Sequence, residues 1–151
     1  MRTEAGEENR CARGAYILAD AEAGARRVTL FATGSEVAVA LAARDILQAR
    51  GVPTAVVSMP CWDLFEEQDE AYRAAVIGRG TVRVAVEAAV RLGWDRYIGE
   101  DGGFVGMSGF GASGDVPDVF RHFGITAEAV VAAVQRADGS VVRPREPVSA
   151  V

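Results

Sequence analysis

The chain has 151 residues, half of them apolar and a quarter charged, which fits one globular domain with a full-sized core. Its net charge of −5 disfavours nonspecific binding to nucleic acid or to an anionic membrane. All 16 basic residues are Arg, so no lysine is available as a nucleophile or Schiff base.

In chain order, residues 1–13 are charged and aperiodic and read as a tail or linker. Their polar start, Met1-Arg2-Thr3-Glu4, lacks a signal-peptide core. Ala15–Ala19 is a short apolar run and is expected as an edge strand. Arg27–Thr33 is β-branched and aromatic, the mark of a buried strand. A helix is expected from Ser35 to Arg50. Thr33-Gly34-Ser35-Glu36 has the form of a capping box, in which Thr33 would cap and Glu36 would reach back to it. Gly51 is expected just past the helix end, with Pro53 beyond.

Thr54–Met59 is the next strand, so strand, helix and strand make a right-handed βαβ unit. Glu66–Val76 is expected as one helix, acidic at its start as the helix dipole prefers. Thr81–Val86 is a third strand, followed by a Gly-rich stretch from Gly99 to Gly114. Helices are expected over Asp115–Phe123 and Thr126–Ala137, the second capped by Thr126. Residues 138–151 read as a C-terminal tail. The order of elements predicts a three-layer α/β/α domain with a mostly parallel sheet, spanning residues 14–137.

Few residues offer chemistry. The Gly34-Ser35 turn opens a helix, where backbone N–H groups converge on anions, so Gly34, Ser35 and Glu36 form a candidate anion site. That turn is neither G-x-G-x-x-G nor a P-loop. His122, the single histidine, lies near a helix C-terminus, where a partly protonated imidazole suits the dipole. Ser58, Ser108 and Ser113 lack the nucleophile-elbow pattern, although Gly106-Met107-Ser108-Gly109 comes close. Glu87 follows the third strand and is expected to make a structural hydrogen bond. Cys11 and Cys61 have no metal-ligand spacing and suggest no disulfide scaffold. No apolar run reaches the ~20 residues of a membrane span. A cytoplasmic protein is the expectation.

Seven short segments, in order, resemble the C-terminal domain of the transketolase family. Gly14-Ala15-Tyr16-Ile17-Leu18 is similar to its G-[GA]-Y-[VI]-L opening strand. Ala32-Thr33-Gly34-Ser35-Glu36-Val37 and Val56-Val57-Ser58-Met59-Pro60 resemble its A-T-G-S-E-V turn and V-V-S-[ML]-P strand. Phe65-Glu66-Glu67-Gln68, running on to Tyr72-Arg73, resembles F-x-x-Q-x-x-x-Y-R, and Val84–Ala88 its third strand. Phe110-Gly111-Ala112-Ser113 and Phe120–Thr126 resemble segments near the family's end.

The resemblance implies a five-stranded, mostly parallel α/β sheet and a parent enzyme that transfers two-carbon ketol units between sugar phosphates in the pentose phosphate pathway. Thiamine diphosphate and a divalent metal serve that chemistry in the family's first two domains. The resemblance therefore implies no catalytic, cofactor-binding or metal-binding residue in this chain; Glu87 does not match the family's cofactor-activating glutamate. The implied partners are the N-terminal and middle transketolase domains and a second copy. Two other functions compete. One is a free-standing small-anion or nucleotide-binding regulatory module built on the Gly34-Ser35 turn. The other is a hydrolase using His122 or Ser108. Phe104, Met107 and Phe110 in the Gly-rich stretch are the candidates for an exposed contact surface.

Overall fold

A five-stranded sheet of order β1-β3-β2-β4-β5 organises the structure, a computed structural model that describes residues 9–107 and 116–137. The strands are β1 (Tyr16–Ala19), β2 (Val28–Ala32), β3 (Thr54–Ser58), β4 (Val82–Val86) and β5 (Gly103–Val105). The helices are α1 (Glu36–Ala49), α2 (Trp62–Glu66), α3 (Glu70–Ile77), α4 (Asp95–Ile98), α5 (Val116–His122) and α6 (Ala127–Ala137). β2 runs parallel to β3 and β4, and β4 parallel to β5. β1 alone is antiparallel, at the edge beside β3.

Every residue of β2 and β3 is buried because helices cover both faces, so these strands read as continuous apolar runs rather than alternating ones. Side chains still alternate between the layers. Val28, Leu30 and Ala32 join Val56, Val84 and Val86 on the face shared with Leu47 of α1 and Val130 and Val134 of α6. Phe31, Val57 and Ala85 point the other way, onto Phe65, Val76, Trp94 and Tyr97.

α1 closes with paired bonds, Gly51 N–H to Gln48 O at 2.9 Å and Val52 N–H to Leu47 O at 3.0 Å. Gly51 takes φ 75°, which is the left-handed C′ residue such a closure needs. Thr126 caps α6 as expected, its Oγ1 accepting from Ala129 N–H at 3.2 Å.

Elsewhere the elements depart from the expected ones. The helix expected over Glu66–Val76 starts only at Glu70, and a separate α2, Trp62–Glu66, precedes it. Asp69 adopts an extended conformation and its carboxylate accepts from Tyr72 N–H at 2.8 Å, a cap that starts α3 afresh and breaks it from α2. The stretch Arg10–Arg13, expected within a tail, forms a 3-10 turn with Arg10 stacked over Tyr16 and Arg13 over Tyr72. Asp115, the expected first residue of the next helix, lies outside the described residues.

Candidate functional site

In open α/β sheets, ligands bind beyond the carboxyl ends of the strands, where the strand order changes direction. Here the chain leaves β2 toward β3 on one side, returns past it to β4, and continues to β5. The corner between the ends of β2 and β4 is therefore the place to look, and it holds the Thr33-Gly34-Ser35-Glu36 turn.

The capping box expected there does not form. Ser35, not Thr33, stands at the N-cap, in helical conformation and without a side-chain cap bond. Glu36 does not reach back to Thr33. Its side chain crosses the corner instead, and Oε1 accepts from Ala88 N–H, just past β4, at 3.0 Å. Oε2 accepts from the Ser35 hydroxyl at 3.0 Å. Glu36 is only 7% exposed, so these bonds meet the requirement that a buried carboxylate be satisfied. An arriving anion would meet a carboxylate already seated at the head of α1.

The rest of the rim is likewise committed. Glu87 N–H donates to Val105 O at 3.1 Å and Met107 N–H to Ala89 O at 2.9 Å, extending the β4–β5 ladder into the loop. The Glu87 carboxylate accepts from Trp94 Nε1 at 2.5 Å, the structural bond expected of it.

Beneath the loop, Trp62, Phe65, Trp94 and Tyr97 pack edge-on or tilted, with ring centroids 5.3–6.2 Å apart. The Tyr97 hydroxyl donates to Glu66 Oε1 at 2.9 Å, and Glu66 Oε2 accepts from Arg73 at 2.7 Å. Burial, and then the hydrogen bond and charge of Glu66, push the Tyr97 phenol from 10.0 up to about 12. A residue pair so far apart in the chain carries no local sequence signal.

The other candidates are not brought together. His122 is exposed at the end of α5, its ring edge-on to Phe123 with centroids 4.9 Å apart. Ser58 is buried in β3, while Ser108 and Ser113 lie outside the described residues. Cys11 is exposed, Cys61 half-buried, and both are free thiols. Phe104 and Met107, expected on a contact surface, are partly buried against the two cores; Phe110 lies outside the described residues. No group of three or more His, Cys, Asp or Glu among the described residues is placed to hold a metal ion. No described helix is long and apolar enough to cross a membrane.

Residues 14–126 match the profile of the transketolase-like TK C-terminal domain. The chain belongs to the transketolase C-terminal domain family. It is 58% identical over 133 residues to a transketolase of Sinorhizobium medicae (strain WSM419), covering 87% of this chain and 19% of that one. A transketolase of Cereibacter sphaeroides is 56% identical over 131 residues, at 87% and 20% coverage. The solved transketolase from Leishmania mexicana superposes with a TM-score of 0.77 at 38% identity, over 90% of this chain and 19% of that chain. The chain thus spans about a fifth of the length of the transketolases it matches.

Thiamine diphosphate, the cofactor the family resemblance implies, finds no fit among the described residues of this transketolase-type domain. A diphosphate with its metal needs several oxygen ligands and convergent donors. At the head of α1 the buried Glu36 carboxylate, bonded to Ala88 N–H and the Ser35 hydroxyl, puts a negative charge where the diphosphate would have to sit.

Proposed function

We propose that the chain is a noncatalytic C-terminal module of a transketolase, serving domain packing and dimer contacts rather than the ketol transfer itself. The observation that carries this reading is the rim between β2 and β4. There the Glu36 carboxylate, not a ligand-ready cluster of donors, sits where an α/β sheet would take its substrate. The family match supports a transketolase as the parent enzyme; two-carbon transfer between sugar phosphates in the pentose phosphate pathway, a cytoplasmic location and a second copy are part of the proposal. Residues 14–137 are proposed as the folded module. Thiamine diphosphate and its metal would be held by the remaining domains.

Gly34, Ser35 and Glu36 are proposed to be a clasp between α1 and the loop after β4. The anion-binding alternative would have to displace the Glu36 carboxylate, and nothing else at the turn favours it.

The test is an exchange of domains. The region of the Sinorhizobium medicae transketolase matched by this chain is replaced with this chain, and ketol transfer is assayed for the chimera and for the isolated 151-residue chain. The chimera should transfer two-carbon units at a rate comparable to its parent, and the isolated chain should show no turnover. Turnover by the isolated chain would overturn the proposal. So would a folded chimera that has lost the activity.

A further inference from the structure

The loop of residues 87–94 is held wherever it meets the domain. Ala88 N–H is taken by Glu36, Glu87 by Val105 and Trp94, and Ala89 O by Met107 N–H. Arg91 turns back to donate to Asp95 at 2.8 Å and to the carbonyls of Gly102, Gly99 and Glu100 at 3.1–3.4 Å. Gly93 takes φ 87° and lies on the Trp62 ring, where an added Cβ would stand 2.5 Å from a ring carbon.

The tip of this anchored loop points apolar side chains at solvent. Leu92 is 84% exposed and Val90 51%, the two most exposed large hydrophobic residues among those described. Scattered apolar side chains on a surface need no explanation. These two differ because their backbone is tied on both sides and cannot fold them inward. The charge between them, on Arg91, is paired with Asp95 and bonded to backbone carbonyls of the following loop. A rigid apolar tip loses little ordering entropy on contact and gains by leaving water. Its complement is an uncharged apolar recess.

We propose that Val90 and Leu92 form the knob by which this domain docks onto the rest of a transketolase. The inference rests on the proposed function above. The occupant follows from length. The matched relatives devote about a fifth of their chain to this domain, and the other four-fifths is the protein surface it is joined to. A second copy of this domain is the competing occupant, and the test separates the two.

Leu92→Asp and, separately, Val90→Asp are introduced into the isolated chain and into the chimera. In the isolated chain the melting temperature should move by no more than about 2 °C, as for an exposed substitution, and sedimentation should be unchanged. In the chimera, limited proteolysis should release the C-terminal domain about tenfold faster, because cleavage tracks the population of the undocked form. An Asp chimera cut no faster than the unsubstituted chimera overturns the knob. An equal loss of stability in the isolated chain overturns it too, since the loop would then be ordinary structure. An isolated chain that is dimeric and becomes monomeric on substitution assigns the knob to a second copy and overturns the proposed occupant. An unsubstituted chimera that folds without activity sinks the proposed function first, and the inference with it.

Discussion

Glu36 shows how a short motif can be right in composition and wrong in geometry. Thr33-Gly34-Ser35-Glu36 satisfies the capping-box pattern, but the pattern is blind to Ala88, 52 residues away, whose N–H offers the carboxylate a buried partner. Tertiary contact outcompetes the local cap. Glu36→Ala should therefore destabilise the chain by about 1–3 kcal/mol, the penalty for stranding a buried donor. Thr33→Ala should change stability by no more than about 0.5 kcal/mol, since its side chain is not the cap. Urea midpoints of the two variants check this; the reverse order would restore the capping box.

Tyr97 gives a second prediction at this scale. Its phenol sits at about 12 in the folded chain against the ordinary 10.0, and a raised value means that folding favours the protonated form. The stabilisation is fully present below pH 10 and is lost as pH climbs from 10 to 12. At about 1.4 kcal/mol per tenfold change in acidity, the total is on the order of 3 kcal/mol. Tyr97→Phe should remove this part of the alkaline loss of stability. Urea titrations at several pH values from 8 to 12 measure it, and an unchanged pH profile in the variant would refute the assignment.

At the scale of elements, the strands were legible because both sheet faces are covered, and a doubly buried strand writes itself as an unbroken run such as Val28–Ala32. The limits of α1 were legible from Gly51 and Pro53. The five residues of α2 are too few to show a period, and the start of α3 at Glu70 was missed although Asp69 ahead of it is a cap signal in plain view. The single turn of α4 was missed because four residues show no period at all. It is held by Trp94 and Tyr97 in the aromatic cluster, not by propensity. Gly93 and Gly51 separate two kinds of glycine requirement. Both have positive φ, but an added Cβ at Gly51 meets nothing within 4 Å whereas at Gly93 it strikes the Trp62 ring. Gly51→Ala should cost about 1–2 kcal/mol of backbone strain, and Gly93→Ala should cost that plus a steric term. Thermal melts showing the two equal would mean that Trp62 moves aside freely.

For the whole molecule, the fold was legible from strand and helix order, and the family from seven short segments spread along that order. The candidate site was not legible, because its defining contacts join the head of α1 to the loop after β4. In the proposed role this domain carries none of the thiamine-dependent machinery and acts through the surfaces it presents. Titration calorimetry of the 151-residue chain with thiamine diphosphate and magnesium tests that most directly. No saturable heat is expected with either component or with both together. Stoichiometric binding of the cofactor in the micromolar range would contradict it.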